Sequence, residues 1–427
     1  MSAAAGWQVF IDTGGTFTDA VAVDAAGGVR RTKILSSSAL RGAIERSEGP
    51  VRLRVRADWS LPDDFLSGFR FRTLEPDAPS RDVVRYDAAA SVIELSSAWP
   101  RALLQGEPFE VVSKEESPVL AARILTLTPP GRPLPVGGLR LATTLGTNAL
   151  LERRGVPTAL FVTRGFADLL FIGTQQRPDL FALDIRRREP LYEDVVEVGG
   201  RIAADGSVLE ELHEGDVEAA ATRLVARGID SAAVALLHSY RNPRHEERVQ
   251  EILERRGLRH VSCSSRLSPF IKILPRAETA VVDAYLAPVV RSYLDRVRTS
   301  ASGGRLHVMT SAGGLVAVET VRPKDMLLSG PAGGVVGAAL AGRRSGFPKL
   351  IAFDMGGTST DVARFDGDYD YTFEHRVQPP PRAPRSRALR HSDLAGGGGP
   401  RGRRSPEDAG GADPGPVSAG GGALGPS

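Results

Sequence analysis

One eight-residue pattern, D-x-G-G-T-x-T-D, occurs twice, as Asp-Thr-Gly-Gly-Thr-Phe-Thr-Asp at residues 12–19 and as Asp-Met-Gly-Gly-Thr-Ser-Thr-Asp at residues 354–361. Each copy follows an apolar run that reads as a buried strand, residues 7–11 and 350–353, and each leads into a second such run, residues 20–23 and 362–365. Both are therefore expected to be tight hairpins with Gly-Gly at the bend. Glycines there let main-chain NH groups approach an anion without a Cβ in the way, and flanking hydroxyls add donors. Thr13, Gly14, Gly15, Thr16 and Thr18 in the first copy, and Gly356, Gly357, Thr358, Ser359 and Thr360 in the second, are the candidate anion-binding residues. Asp12 and Asp354 end the incoming strands, where a carboxylate can hold Mg²⁺ directly or through water, because this ion prefers a few carboxylates plus phosphate oxygens. Asp361 can orient a water or the metal. A single such loop reads most simply as a plain turn, and its repetition is what points to function. Neither copy is a Walker A loop or a G-x-G-x-x-G turn, since no Lys follows the glycines and a strand, not a helix, comes next.

A chain of 427 residues, 41% hydrophobic and 25% charged, is long enough for two domains with sizeable cores. No apolar run approaches the roughly 20 residues of a membrane-spanning helix, and residues 1–6 lack the basic and apolar regions of a signal peptide, so no membrane association and a cytoplasmic location are expected. The single Cys263 allows neither an internal disulfide nor a Cys-rich metal site, and it reads as a buried, inert thiol. The formal charge is +3, but residues 376–427 hold eight Arg against four acidic groups, which leaves residues 1–375 at −1. That nearly neutral body carries no basic and aromatic stripe, so nucleic acid is not an expected partner.

Along the chain, residues 29–35 read as a third strand and residues 36–42 as a polar loop. Alternating runs between residues 50 and 112 read as a small antiparallel β insertion. Ser117-Pro118 opens a helix, with Ser as N-cap. Strand 141–144 then leads through Gly146, Thr147 and Asn148 into a short helix, an arrangement that serves either as an anion site or simply as a capped helix. The loop at residues 173–179 contains Gln175, Arg177 and Asp179, side chains suited to amides and carboxylates, though a solvated surface loop reads the same way. Asp205-Gly206 is a turn signal within a polar connection taken as a domain boundary. Beyond it strands and helices alternate, which indicates an α/β domain. Ser329 to Gly334 opens a helix whose small residues suit an interface between domains.

These stretches, namely residues 12–19, 143–155, 164–179, 236–242, 328–337 and 353–362, together resemble the ATP-binding half of the hydantoinase/5-oxoprolinase family. The run from Asp168 to Phe181 is most similar to the 5-oxoprolinase branch. The resemblance implies an actin-like ATPase (ribonuclease H-like) two-domain α/β fold, with domains at 7–203 and 214–375, in which the two hairpins are phosphate loops and Gly330 lies at the nucleotide. It also implies ATP and Mg²⁺ as cofactors and ATP-dependent opening of a cyclic amide, 5-oxo-L-proline to glutamate or a hydantoin. Asp12, Asp354 and Asp361 would be the catalytic groups, Asp12 and Asp354 the metal ligands, and Thr147, Asn148, Gln175, Arg177 and Asp179 the substrate contacts. A hydantoinase B-like half or subunit and an oligomeric assembly are the implied partners. A small-molecule kinase of the same fold and a non-catalytic nucleotide-binding subunit are the alternatives.

Residues 376–427 contain 12 Gly, 9 Pro and 8 Arg, no aromatic residue and only five Val, Leu or Ile. Such a segment buries too little apolar surface to order itself and is expected to be disordered. The family's pattern weakens here, as a truncated or out-of-frame reading of a longer gene would make it do.

Overall fold

The computed structural model describes residues 6–174, 189–301, 304–355, 360–371 and 400–401. It opens with three antiparallel strands, β1 (Trp7–Thr13), β2 (Phe17–Val23) and β3 (Val29–Leu35). Period-two alternation sends Val9, Ile11, Ala20 and Ala22 into the core and leaves Asp12 and Asp19 exposed. The bend between β2 and β3 is closed by the Asp24 carboxylate, which accepts from the NH groups of Ala26 at 2.9 Å and Gly28 at 2.7 Å.

The β insertion is a closed barrel of six strands, β4 (Ala39–Ser47), β5 (Arg52–Arg56), β6 (Arg70–Thr73), β7 (Arg81–Asp87), β8 (Val92–Leu95) and β9 (Pro108–Val112), in the order β4-β5-β8-β7-β6-β9. Its interior is filled by Ile44, Leu53, Phe71, Ile93 and Phe109, with Phe71 stacked on Phe109 at 5.1 Å. Residues 39–42, expected as part of a polar loop, instead begin β4, because their partner β9 lies some seventy positions away and pairs Ala39 with Val112. Gly42 is a packing requirement there, since a Cβ would stand 2.7 Å from the Phe109 ring.

Helix α1 (Ser117–Thr126) then packs on the meander, and β10 (Val136–Thr143) runs parallel to β1 with Thr13 opposite Thr143. Ser117 does not cap α1; the helix starts from Glu116 without a side-chain cap, and the Ser117 hydroxyl is spent elsewhere. After α2 (Leu145–Leu151) the chain builds a second, parallel sheet. Its elements are β11 (Thr158–Thr163), α3 (Leu169–Ile172), β12 (Asp194–Val198), the hairpin β13 (Arg201–Ile202) and β14 (Val208–Glu210), α4 (Glu214–Ala226), β15 (Ser231–Ala235), α5 (Arg244–Arg255) and β16 (His260–Cys263). The four-stranded order is β12-β11-β15-β16. It draws strands from both sides of the polar stretch 204–213, so that stretch does not divide one sheet from another.

Short α6 (Ser264–Leu267) leads to α7 (Ile273–Ser300), which ties the sheets together. Ala277, Ala280, Val281 and Ala284 pack on β11 and β15, while Val290, Tyr293, Leu294 and Val297 join the core of the first sheet. β17 (Arg305–Met309) and β18 (Leu315–Ala317) complete that first sheet, in the order β18-β17-β10-β1-β2-β3. Helix α8 (Ser329–Arg344) follows, and then the second hairpin, β19 (Leu350–Met355) with β20 (Thr360–Phe365). No helix among the described residues is long and apolar enough to cross a membrane. Cys263 is buried and burial pushes its thiol well above the usual range, as an inert residue requires.

Candidate functional site

In the first hairpin Asp12 faces Asp19 and Thr13 faces Thr18 across the strands. The turn is closed by the NH of Gly14, which donates to the Phe17 carbonyl at 2.9 Å. A Cβ on Gly14 would come within 3.2 Å of that same carbonyl, so the residue must be glycine or the turn must widen. Ser36, just past β3, braces the loop: its NH donates to the Thr16 carbonyl at 2.9 Å and its hydroxyl to the Gly14 carbonyl at 2.7 Å.

The strand period assigns the side chains. Because Asp12 and Asp19 take the open face, Thr13 and Thr18 must take the opposite one. Thr18 is fully buried, its hydroxyl 3.1 Å from that of Ser36 and 2.9 Å from that of Ser117. Thr13 is buried against the core, where Tyr293 of α7 lies close to it and to Thr143; burial lifts the Tyr293 phenol well above its ordinary range, and those two hydroxyls act against that rise. The expectation that the hydroxyls of Thr13 and Thr18 face an anion is therefore corrected: both are buried behind the hairpin, where Thr18 anchors it to Ser36 and Ser117. Gly14, Gly15 and Thr16 form the tip.

The second hairpin repeats the register, with Asp354 opposite Asp361 and Met355 opposite Thr360. Residues 356–359, which include the candidates Gly356, Gly357, Thr358 and Ser359, lie outside the described residues, as do Gln175, Arg177 and Asp179, the side chain of Thr360, and the segments 372–399 and 402–427 with their expected disorder. Asp354 is exposed and Asp361 half-buried. The two hairpins meet electrostatically. Asp12 has solvent-accessible surface, yet the surrounding protein withholds enough water to raise its pKa; the Asp354 and Asp19 carboxylates raise it further, and the Lys33 ammonium pulls it down.

The ends of β10 and α8 close one side. The Thr144 NH donates to the Thr13 carbonyl at 3.0 Å, and the Ser329 hydroxyl donates to the Thr143 carbonyl at 3.0 Å. Leu328, in the left-handed region at φ 58°, donates its NH to Thr147 Oγ1 at 3.0 Å, and Asn148 Nδ2 donates to Thr144 Oγ1 at 3.1 Å. Thr147 and Asn148 thus bind α2 to its surroundings from within the helix, which starts at Leu145 without a side-chain cap. Gly330 sits beside this junction, where a Cβ would stand 3.3 Å from the Thr144 methyl. The first turn of α8, the positive end of its dipole, is held beside the first hairpin.

Sequence reasoning missed Lys33, Ser36, Ser117, Tyr293 and Ser329. Lys33 had a legible signal: a three-stranded meander with its second bend at Gly27-Gly28 places residue 33 opposite Asp19, as observed. The others contact the hairpin only through tertiary packing.

Among the described residues no group of three or more His, Cys, Asp or Glu is arranged to hold a metal. Asp12 and Asp354 still fit an ion that draws its remaining ligands from phosphate and water, and their mutual repulsion is what a divalent cation relieves.

A model of the hydantoinase/oxoprolinase N-terminal region matches residues 8–58 and 109–257, and the hydantoinase/oxoprolinase model matches residues 276–425. The chain belongs to the hydantoinase/oxoprolinase family. The second match runs through the Gly- and Pro-rich segment, well past residue 375, where the sequence reading lost the family's pattern. The first skips residues 59–108, which hold three of the barrel's six strands, β6, β7 and β8. Over 311 residues this family member is 40% identical to 5-oxoprolinase 1 of Arabidopsis thaliana, a match covering 65% of the chain and 24% of that relative. Over 282 residues it is 40% identical to the 5-oxoprolinase of Saccharomyces cerevisiae, covering 58% of the chain and 22% of that relative. The chain thus spans about a quarter of the length of these curated relatives. Its fold matches the ATP-dependent caprolactamase from Pseudomonas jessenii with a TM-score of 0.56 at 23% identity, over 84% of this chain and 43% of that one. The mixed α/β fold expected from the sequence is the one found.

Proposed function

We propose that this chain binds Mg-ATP between its two D-x-G-G-T-x-T-D hairpins and supplies the phosphorylating half of an ATP-dependent cyclic-amide hydrolase. The observation that carries this reading is the approach of Asp354 to Asp12: two phosphate-loop-like hairpins of one register face each other closely enough that one carboxylate raises the pKa of the other. The relatives named 5-oxoprolinase and the fold neighbour named caprolactamase support a lactam as substrate.

An unstrained lactam carbonyl is a poor electrophile. In the proposed reaction its oxygen attacks the γ-phosphorus of ATP, an O–P bond forms, the bond to the β-phosphate oxygen breaks and ADP leaves. Water then adds to the activated carbon, the ring C–N bond breaks as the nitrogen takes up a proton, and a second water hydrolyses the acyl phosphate so formed to carboxylate and phosphate. The balance is lactam, ATP and two waters to amino acid, ADP and phosphate. The protein's part is positioning and charge compensation. The tip at Gly14, Gly15 and Thr16 cradles phosphate, the dipole of α8 favours its negative charge, and Asp12 and Asp354 hold Mg²⁺, which when bound neutralises charge on the phosphates. Asp361 orients a water, and Gln175, Arg177 and Asp179 contact the lactam. Ring opening involves a hydantoinase B-like partner half, in a cytoplasmic oligomer.

The test is phosphate release by the purified chain mixed with such a partner, with ATP and Mg²⁺, in the presence and absence of 5-oxoproline. The proposal expects release and glutamate formation that both depend on the lactam. Lactam-independent release, or a stable phosphorylated product, contradicts it.

A further inference from the structure

We propose that Lys33 is the phosphate-binding cation of this site, taking the place of the lysine that neither glycine loop contains. The inference rests on the reading of the two hairpins as a nucleoside-triphosphate site and adds to it a residue from outside both motifs.

Three observations converge on it. First, antiparallel pairing sets Asp12 opposite Asp19 and Asp19 opposite Lys33, so the three side chains form a row across β1, β2 and β3 on the open face. Second, the Lys33 ammonium is already poised: Nζ lies 2.7 Å from Asp19 Oδ2 and 5.1 Å from the centroid of the Phe17 ring at the hairpin tip. Third, its charge reaches Asp12, the carboxylate that Asp354 faces from the other hairpin. The row and the second hairpin therefore gather three carboxylates and one ammonium. Lys33 and Asp19 are 57% and 58% exposed at their side chains, so the ammonium keeps access to solvent and to a ligand entering the cleft.

A compact ammonium on a flexible stem suits phosphate oxygens, to which it binds as a point charge. The pair with Asp19 is weak enough to exchange, because ion pairs this exposed hold little net energy. On ligand binding Lys33 swings from Asp19 to the terminal phosphates, while Asp19 and the Phe17 ring limit the directions it can take. Without it, the site would have only the divalent ion, main-chain NH groups and a helix dipole to offset a triphosphate, with no side-chain cation in the row.

The experiment is titration calorimetry of the full chain, its Lys33→Met variant and its Lys33→Arg variant with Mg-ATP and with Mg-tripolyphosphate, at two salt concentrations. Loss of one charge-assisted contact predicts affinity weaker by about tenfold to a hundredfold for both ligands in Lys33→Met. It also predicts a flatter salt dependence, and recovery of most of the affinity in Lys33→Arg. Because the pair is exposed, the melting temperature of Lys33→Met should match that of the parent, so lost binding is not lost folding. Parent-like binding of Mg-ATP by Lys33→Met overturns this inference alone and leaves the two-hairpin reading standing. Failure of the folded parent to bind Mg-ATP overturns both.

Discussion

The two copies of D-x-G-G-T-x-T-D fold into the same hairpin in two different settings. Asp12 pairs with Asp19 as Asp354 pairs with Asp361, position for position. The first copy lies inside a six-stranded sheet, flanked by β10 and β3, with Ser36, Ser117 and Thr144 bonded to it from behind. The second is a two-stranded sheet among the described residues, and Ile351, Phe353, Met355 and Val362 stand exposed on it. The residue before the aspartate makes the contrast sharp: Ile11 is 4% exposed and Phe353 is 65% exposed. A local motif can fix register and loop shape, but what lies behind it decides how firmly it is held.

If the carboxylates act as a pair, the largest effect on function comes from either hairpin alike. Asp12→Ala and Asp354→Ala should each lower lactam-dependent phosphate release by about a hundredfold or more, as loss of charge-positioning groups does in phosphoryl transfer. A large loss in only one of the two would break the symmetry of the sites. The settings should then separate in stability. Ile11→Ala should cost about 2–5 kcal/mol, the range for emptying a packed core position, while Phe353→Ala should stay within about 0.5 kcal/mol. Denaturant midpoints of the two variants measure this, and equal costs would show that Phe353 is covered.

A smaller effect is expected at Thr18. Thr18→Val keeps the shape but strands the buried hydroxyl of Ser117 and removes one contact of Ser36, at a cost of about 1–3 kcal/mol with the loop tip loosened. Thermal melts and amide exchange at Gly14 and Thr16 would register it.

The smallest effect is a titration. Asp12 has a raised pKa in the folded chain, so the folded state holds that proton more tightly than the unfolded one. Its contribution to stability is therefore greatest at low pH and is lost as pH rises from the unfolded carboxylate value through the folded one. Asp12→Asn should abolish that loss. Asp354→Asn should lower the Asp12 pKa and Lys33→Met should raise it, both visible in carboxyl NMR shifts; no movement in either would separate the hairpins.

What could be read from the sequence was local. The hairpins, the turns at Gly27-Gly28 and Asp205-Gly206, and the alternating second half follow from residue periodicity and turn chemistry. Long-range pairing could not be read. Strand β4 was hidden because its partner β9 is distant, and the parallel sheet crosses the expected boundary because β11 and β15 pair across it. The same limit hid a fully buried knot at the end of that sheet, where Glu246 accepts from Ser264 Oγ at 2.6 Å and from the Leu236 NH at 2.9 Å, with Arg276 beside it. Arg276 and Glu246 look like ordinary helix-surface charges until the strands and helices that enclose them are assembled. In the site itself, both aspartates were legible from the repeated motif. The inward turn of Thr13 and Thr18 follows from strand alternation once Asp12 is placed outward, and it was missed because loop hydroxyls were counted as donors by type rather than by face.

The central claim is that one nucleotide is shared between the two hairpins. The most direct measurement is calorimetric titration of Mg-ATP into the chain, with Asp354→Ala titrated alongside. The account predicts saturable binding by the parent that Asp354→Ala loses, since half of the cleft's metal-holding carboxylates would be gone. Binding retained in Asp354→Ala, or no binding by a folded parent, would contradict it.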